Sequence, residues 1–436
     1  MPEGTSPSPS DGWGESTGLA EPVEGVPRRR RRRLLVAGMV LPLAALVGMG
    51  VFFAVRQRAI QSLSRSCREA YQEKDWTGLE RLAARWQDWD QEDASPLLYL
   101  AQAACETGRY GEAVALLDRL PQADPAVPQA LLEKSSILFK ALNRPIEGAE
   151  ALEEALRLDP QLIEARRRII YYYAFTLQRD KVVRHAHEAM RHEAELPETY
   201  VYLIARDWLS FSNAYSENVK WLAGNPDEEL FLVARSLYLV RTRAALEDET
   251  PDLKRENVRE EDTVPYHRKL LARLFQRFPH NLELRSYYVE EAIEKGNADE
   301  VARLLAAAPP GAVDDNRFWR YTGWLHAARG NLEEAENCCR NALALNGYDY
   351  VARFQLAGIH RRLRKLDQVK ALEDLWRRGK ELRQEILQIE RVDKIPQPMM
   401  RRIAKYAKDC GDELAWERLQ VRFWELKDAP GRGSSQ

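Results

Sequence analysis

Three side chains near the middle of the sequence could together bind a metal ion. His185, Glu188 and His192 stand at positions i, i+3 and i+7, so one side of a helix would carry two imidazoles and a carboxylate, all of them metal-ligand types. Charged residues flank the three on both sides, which is typical of a solvated helix face. A metal-dependent enzyme that uses this His/Glu cluster therefore stays an alternative, although we expect no metal and no other cofactor.

The pattern of cysteines and the absence of familiar catalytic motifs argue against enzymatic chemistry. The chain has five cysteines, among them the adjacent pair Cys338 and Cys339, and no CxxC pair. Neighbouring residues on a helix point about 100° apart, so a disulfide between these two would break helical geometry. We expect Cys339 to be a small buried residue. The sequence also lacks a glycine-rich phosphate loop, an H-E-x-x-H pair and a G-x-S-x-G turn, and we predict that the chain is not an enzyme.

The composition excludes a further class of function. The 436 residues include 65 Lys and Arg against 67 Asp and Glu, which gives a formal net charge of -2. Such a balance does not suit a protein whose work is to neutralise nucleic-acid phosphates. We therefore expect no nucleic-acid partner, and no small-molecule substrate is evident. Hydrophobic residues make up 45% of the chain and aromatic residues 9%, which is enough for a large core.

The N-terminal region is typical of a membrane anchor. Residues 1–27 are rich in Pro, Gly, Ser and acids and contain no Lys or Arg, which predicts a disordered tail. Six arginines at 28–33 precede the uncharged apolar run 34–55. The 22 residues of this run are long enough for a transmembrane helix, which needs about 20 residues. They also exceed the ~7–15 residues of a signal-peptide core, so we expect an uncleaved span that contacts the lipid bilayer.

The distribution of positive charge predicts the orientation of this span. Six contiguous arginines precede it, and four more (Arg56, Arg58, Arg65 and Arg68) follow it. The more positive side stays in the cytoplasm, so we expect a cytoplasmic N-terminus and an exported, periplasmic remainder, with the reverse orientation as the alternative. The absence of an N-x-S/T sequon favours a bacterial envelope over a eukaryotic secretory route. The predicted localisation is therefore the inner (cytoplasmic) membrane, crossed once.

After residue 57 the sequence repeats itself with a period of about 34 residues. Similar segments end at Pro125 and Pro160, 35 residues apart, and Gly330 follows Gly296 by 34 residues. In each unit, apolar residues at helical spacing predict a first helix, a Gly or Asn permits a tight turn, and an Ala lets a second helix approach closely. One hairpin cannot cover its own apolar face, so we expect the hairpins to stack.

These units resemble tetratricopeptide repeats. The signature residues of the family are Leu97, Leu100, Ala101, Gly108, Ala113, Leu117 and Pro125 in the unit starting at 94, Leu132, Phe139, Leu152, Ala155 and Pro160 in the unit at 129, and Trp319, Gly323, Gly330, Ala335 and Ala342 in the unit at 316. Gly148 stands where Ala is usual, and Gly347 where Pro is usual. The resemblance covers residues 60–427 and implies an all-α fold, a right-handed superhelical solenoid of helical hairpins.

Weaker copies of the unit start near 60, 163, 195, 229, 282 and 350. The step from 229 to 282 is 53 residues, and the surplus coincides with the charged stretch 247–264. This stretch is predicted to be a loop inserted between the two helices of one repeat. A final charged helical pair at 396–427 suits a terminal cap, and residues 428–436 suit a flexible tail.

The resemblance implies a groove lined by one face of each first helix. Carried over unit by unit, the register of the repeat gives eleven candidate groove residues: Lys134, Lys140, Arg167, Arg168, Tyr171, Arg320, Tyr321, Trp324, Phe354, Arg361 and Arg362. Arg and aromatic side chains dominate binding hot spots. A basic, aromatic-lined groove would suit an extended protein segment that carries Asp, Glu or a free carboxylate.

The predicted function is that of a membrane-anchored protein-protein interaction scaffold. Its groove would bind envelope partner proteins, and restriction to the membrane would raise the effective concentration of the groove towards them. The alternatives are an accessory chaperone that holds unfolded exported substrates, the metal-dependent enzyme considered above, and a spacer without a groove ligand. A repeat fold does not fix function, so the sequence leaves these alternatives open.

Overall fold

Helices make up the whole of the regular structure that can be described. The computed structural model describes residues 28–208, 212–242, 263–389, 391 and 394–428, and within these ranges it has twenty α-helices, two short 3₁₀ turns and no strand. The prediction of an all-α fold is therefore confirmed for the described residues. Outside them lie the predicted tail 1–27, residues 429–436 of the predicted tail 428–436, and residues 247–262 of the predicted loop 247–264. Residues 263 and 264 belong to a helix.

The helices follow one another in antiparallel pairs. In the first half they are α1 (Arg28–Glu73), α2 (Trp76–Trp89), α3 (Ala94–Glu106), α4 (Tyr110–Leu117), α5 (Val127–Lys140), α6 (Pro145–Leu158), α7 (Ile163–Phe175), α8 (Arg179–Arg191), α9 (Pro197–Ile204), α10 (Ser212–Gly224) and α11 (Glu229–Thr242). In the second half they are α12 (Thr263–Arg277), α13 (Leu282–Glu294), α14 (Ala298–Ala306), α15 (Asn316–Ala328), α16 (Leu332–Leu345), α17 (Tyr350–Arg362), α18 (Leu366–Ile386), α19 (Gln397–Asp409) and α20 (Glu413–Asp428). From α3 onward, the first helix of each pair begins within two residues of a repeat start predicted from the sequence.

Glycine at the turn and small residues between the helices make these hairpins possible. Gly108 and Gly330 have φ angles of 77° and 86°, which glycine adopts without the steric cost of a Cβ atom. Ala113 and Ala335 are fully buried, as the repeat pattern predicts for the point of close approach. At Gly148, a Cβ atom would lie 2.8 Å from the ring of Phe139. The aromatic ring therefore takes the space that the usual alanine methyl would need.

Helix α1 contains the predicted membrane span. Its side chains are described from residue 47, and Val47, Met49, Val51, Phe52, Phe53 and Val55 are each more than half exposed. Within the described residues, no helix combines the length and the apolar character that crossing a membrane requires. The side chains of residues 34–46 lie outside what is described, and the span stays a prediction.

The C-terminal helical pair packs back onto the middle of the chain. One apolar cluster joins residues of α8 and α9, among them Met190 and Ile204, to Ile403, Tyr406 and Leu419 of α19 and α20. Leu419 is fully buried and Ile403 and Tyr406 are 1% exposed. The pair predicted as a terminal cap at 396–427 therefore has a buried apolar face in addition to its exposed charges.

Polar contacts fix the register of this closure. The ring Nε2 of His187 on α8 lies 3.1 Å from Asp412 Oδ2, and the Tyr348 hydroxyl donates to the same oxygen at 2.8 Å. A Cβ atom at Gly347 would lie 2.4 Å from the carbonyl oxygen of Cys410. The usual proline of the repeat would therefore collide with the returning hairpin, which gives a physical reason for glycine at this position.

Truncation of one buried leucine tests the closure. The Leu419→Ala variant should lose about 2–5 kcal/mol of stability, because it opens a cavity in the cluster that joins α20 to α8 and α9. The matched control Val421→Ala, on the same helix but 43% exposed, should change stability by less than about 0.5 kcal/mol. Urea unfolding followed by circular dichroism measures both, and equal shifts for the two variants would contradict the closure.

Candidate protein-interaction groove

Four of the predicted groove residues lie around one open cavity. Lys140, Arg167, Arg168 and Tyr171 line a cavity of about 320 Å³ between α5, α7 and α10. The other lining residues are Ser136, Phe139, Glu164, Tyr172, Phe175, Glu217, Lys220 and Trp221. The first helices of two successive repeats, α5 and α7, thus present their predicted residues side by side.

The floor of this groove is aromatic and rigidly packed. The ring of Phe139 lies 5.7 Å from that of Tyr172 and 6.1 Å from that of Trp221. Tyr172 and Trp221 are only 4% and 3% exposed, so the core holds them in place. Burial raises the pKa of Tyr172 well above its ordinary value, so its hydroxyl stays neutral. The groove therefore offers an apolar base beneath a charged rim.

The rim carries more positive than negative charge. Lys140, Arg167, Arg168 and Lys220 face two carboxylates, Glu164 and Glu217. Arg168 Nε donates to Glu164 Oε1 at 2.7 Å, Arg167 lies 3.4 Å from Glu164, and Lys220 lies 4.0 Å from Glu217. Exposed ion pairs of this kind contribute about 0–1 kcal/mol each. A carboxylate on an incoming chain can therefore compete for these cations.

Tyr171 gives the groove a hydrogen-bonding aromatic wall. Its ring stacks on that of Phe175 at 5.9 Å with an interplanar angle of 15°, and its hydroxyl donates to Glu198 at 3.2 Å. The Arg167 guanidinium lies 5.8 Å from the centre of the Tyr171 ring. These contacts fix the orientation of the ring. Lys134 lies earlier on α5 than Lys140 and outside this cavity, and it forms an ion pair with Asp118.

The second set of predicted residues lies elsewhere, and two of its members are buried. Arg320 is 6% exposed and Tyr321 1%. Arg320 donates to Asp349 Oδ2 at 2.7 Å, and the Tyr321 hydroxyl lies 2.7 Å from Ser286 Oγ and 2.6 Å from Glu290 Oε1. Burial alone would lower the pKa of Arg320, but Asp349 and neighbouring carboxylates raise it above its ordinary value. The Tyr321 side chain is thus a core residue, which corrects its placement on a groove surface.

The remaining predicted residues lie on α15, α17 and their surroundings. Trp324 is partly buried against the cluster of α13, α14 and α15, while Phe354 is 50% exposed with its ring 5.0 Å from that of Trp376. Arg361 is exposed and pairs with Glu373, and Arg362 is exposed and donates to the carbonyl of Ala327 at 2.9 Å. These residues do not line the cavity between α5, α7 and α10.

A segment of the chain itself supplies an acidic group near Arg320. Asp207, in the turn Ala205–Trp208, lies 3.6 Å from Arg320 and accepts hydrogen bonds from Asn316 at 2.8 Å and Asn346 at 2.9 Å. Its neighbour Arg206 donates to the carbonyl of Leu345 at 2.8 Å. The register of the repeat did not identify Asp207, because it lies in the unit near 195 where the repeat pattern is weakest. An acidic segment does meet Arg320, but it comes from the same chain.

The His/Glu cluster forms a hydrogen-bonded network. His185 is 1% exposed, with Nδ1 2.9 Å from the Arg166 guanidinium and Nε2 3.0 Å from Glu153 Oε1, while Glu188 pairs with Arg166 at 2.7 Å. Burial would raise the pKa of Glu153, but the contacts from His185, Tyr173 and Arg184 lower it to about 2. An arginine thus lies between the would-be ligands His185 and Glu188, and His192 is exposed at the end of α8.

The described residues contain neither a metal-binding group nor a disulfide. Over the described ranges, no three His, Cys, Asp or Glu side chains form a group that could hold a metal ion. All five cysteines are free, and Cys339 is fully buried as predicted. Burial raises the pKa of its thiol to about 12, which leaves it protonated and unreactive at neutral pH.

Comparison with known proteins gives structural likenesses of low score. No family model and no curated protein matches the chain. Among solved structures, it is similar to a tetratricopeptide repeat protein from Parabacteroides merdae (12% identity, 69% of this chain and 98% of the other, TM-score 0.26) and to MamA protein (13%, 51% and 92%, TM-score 0.26). It is also similar to the APC/C hetero-tetramer Cut9-Hcn1 (14%, 85% and 79%, TM-score 0.32). Scores this low do not define a shared architecture, so the resemblance to tetratricopeptide repeats rests on the hairpins themselves.

Substitution of the buried Arg320 should lower the stability of the protein far more than substitution of the exposed Arg361. Arg320→Gln should destabilise the protein by about 3–5 kcal/mol, because it leaves the buried Asp349 carboxylate without its cation. Arg361→Gln, at an exposed site, should change stability by less than about 0.5 kcal/mol. Urea unfolding curves of the two variants and the parent decide the matter. A stable Arg320→Gln protein would show that this arginine faces solvent.

Proposed function

We propose that this protein is a scaffold whose basic, aromatic groove between α5, α7 and α10 holds an extended acidic segment of another protein. The observation that carries the proposal is the excess of cations above the packed floor of Phe139, Tyr172 and Trp221. Carboxylates of a bound segment would pair with the rim, and its apolar side chains would cover the floor. Arginine and aromatic side chains are the types that contribute most to binding.

The exposure of the rim supports this role for the groove. The side chain of Arg167 is 44% exposed and that of Lys220 is 47% exposed, and Lys140 is exposed at the end of α5. Lys220 pairs only with the exposed Glu217 among the described residues, while Arg167 lies 3.4 Å from Glu164 and 4.0 Å from Glu198, which is 5% exposed. The cost of rearrangement is therefore small, whereas recruiting the buried Arg320 would break its contact with Asp349.

Anchoring at a bacterial inner membrane belongs to the same proposal. The uncharged run 34–55, with the arginines 28–33 before it, would place the N-terminus in the cytoplasm and the hairpins on the exported side. The exposed apolar side chains of residues 47–55 suit the end of such a span. A tethered groove would meet envelope proteins at a raised effective concentration.

A charge-reversal pair tests the groove. We expect the double variant Lys140→Glu, Arg167→Glu to lose partner recovery by about tenfold or more, because two rim cations become repulsive to an acidic segment. The matched control Arg157→Glu, Arg303→Glu changes the net charge equally at sites that are 65% and 66% exposed and lie outside the groove, and it should recover partners normally. Quantitative mass spectrometry after affinity purification from cells compares them, with helicity checked by circular dichroism.

Photocrosslinking at position 140 separates the possible occupants. A photoreactive residue there, with one at position 157 as the control, should capture a few reproducible proteins if the chain is a scaffold. Many substoichiometric exported proteins would favour the chaperone. If position 140 captures nothing more than position 157 does, the groove is not a binding site and the hairpins act as a spacer.

A further inference from the structure

A second cavity lies at the seam where the two halves of the chain meet. It measures about 480 Å³ and lies between the turn Ala205–Trp208, helices α11, α13 and α15, and helices α17 and α18. Its apolar lining consists of Ile204, Trp208, Tyr348, Tyr350, Val351 and Leu387, and its charged lining of Asp207, Arg241, Glu290, Arg320, Asp349 and Arg383. The volume falls in the range of small-molecule sites, about 300–1,000 Å³.

Two of the three carboxylates in this lining are committed to other groups. Asp349 accepts from Arg320 at 2.7 Å, from Asn316 at 2.9 Å and from the backbone N–H of Ala352 at 2.8 Å. Asp207 accepts from two asparagines and lies 3.6 Å from Arg320. Arg320 thus pairs with Asp349 and lies near Asp207, whose Oδ1 is buried without a hydrogen-bond partner among the described residues. Within the described part of the chain, Glu290 is the one carboxylate of the lining that pairs with either of the other two arginines.

Arg383 is the first of these two arginines. Its terminal nitrogen donates to the Tyr350 hydroxyl at 3.0 Å, and its guanidinium lies 5.7 Å from the centre of the Trp208 ring. Its Nε atom is buried, and no described residue accepts a hydrogen bond from it. A buried donor of this kind costs about 1–3 kcal/mol unless an acceptor is supplied. The Nε edge of the guanidinium is therefore an unsatisfied donor within the described part of the chain.

Arg241 is the second. Its ion pair is with Glu290 Oε2 at 3.7 Å, which is longer than a hydrogen bond. Glu290 also accepts from the Tyr321 hydroxyl at 2.6 Å and lies 3.8 Å from Arg320. Burial lowers the pKa of Arg241 despite the nearby Glu290. One shared carboxylate therefore does not fully compensate the loss of water around this guanidinium.

We propose that this cavity binds a small organic acid with an apolar or aromatic body. The carboxylate would lie between Arg241 and Arg383, where planar guanidinium groups can donate paired hydrogen bonds. The body would pack against the apolar part of the lining, which includes Trp208, Tyr350 and Leu387. This site is separate from the groove of α5, α7 and α10, and it does not depend on what that groove binds.

Ligand binding at this seam has a consequence for the whole chain. The cavity lining combines α11 and the turn Ala205–Trp208 of the first half with α13, α15, α17 and α18 of the second. A ligand that needs both halves binds the closed arrangement alone and stabilises it by mass action. The thermal midpoint of the protein should therefore rise with the concentration of the acid.

Calorimetric titration of the full-length protein in detergent tests the site. The probes are 3-phenylpropionate and its neutral amide, 3-phenylpropanamide, and we expect saturable binding of the acid that exceeds binding of the amide at least tenfold. Arg383→Gln and Arg241→Gln should each weaken the acid by about tenfold or more, because each removes a charged donor. The control is Arg377→Gln. Arg377 lies on α18, as Arg383 does, but it is 61% exposed and paired with Asp374. This variant should bind the acid with the affinity of the parent.

Three results would overturn the proposal: equal binding of acid and amide, unchanged affinity in both cavity variants, or no saturable binding and no thermal shift with the acid. If a variant fails to fold, the comparison of acid with amide on the parent protein still decides. The tripeptide Gly-Gly-Phe, with a free or an amidated C-terminus, distinguishes the source of the carboxylate. Tighter binding of the free tripeptide than of 3-phenylpropionate indicates a peptide terminus, and the reverse order indicates a free small acid.

Discussion

Buried carboxylates that are shared between distant hairpins hold the structure in one arrangement. Glu283 of α13 is paired with Arg179 of α8 at 2.7 Å and with Arg317 of α15 at 2.6 Å, and Glu195 is fully buried beside Arg418 of α20. Burial would raise the pKa of Glu283, but its two arginines hold that pKa well below the ordinary range. Ion pairs of this kind contribute geometric specificity more than net stability, while the apolar cluster of α8, α9, α19 and α20 supplies favourable burial. The seam cavity depends on this arrangement, because its lining combines residues of both halves of the chain.

The repeating part of the fold could be predicted because it is local. Helical periodicity, turn glycines such as Gly108 and close-packed alanines such as Ala113 act within about 34 residues, so each unit can be read from its own sequence. Closure could not be predicted in this way, because Glu195 and Arg418 are 223 residues apart. Two departures from the repeat pattern do lie at the residues where the chain closes. Gly347 stands against the returning hairpin, and the weakest unit, near 195, contains the turn that enters the seam.

Only part of the candidate groove could be expected from the sequence, because the register of a repeat is a local property. The register of a repeat tells which face of a first helix is presented, and in the structure Lys140, Arg167, Arg168 and Tyr171 line one cavity. It cannot tell whether another part of the chain covers that face. Arg320 occupies an equivalent register position, but the turn at Asp207 and the start of α17 bury it. The seam cavity has no sequence signal, since its lining comes from six separate segments.

The return of the C-terminal helical pair onto the middle of the chain is tested most directly by a distance between α8 and α20. Spin labels on unnatural amino acids at exposed positions 191 of α8 and 417 of α20 avoid the native cysteines, and pulsed electron resonance gives their separation. Packed helices lie about 8–10 Å apart, so the closed structure predicts a narrow distribution below about 30 Å. An open array would place several hairpins between the labels and separate them by more than about 50 Å. A broad distribution centred at that longer distance would contradict the closed structure.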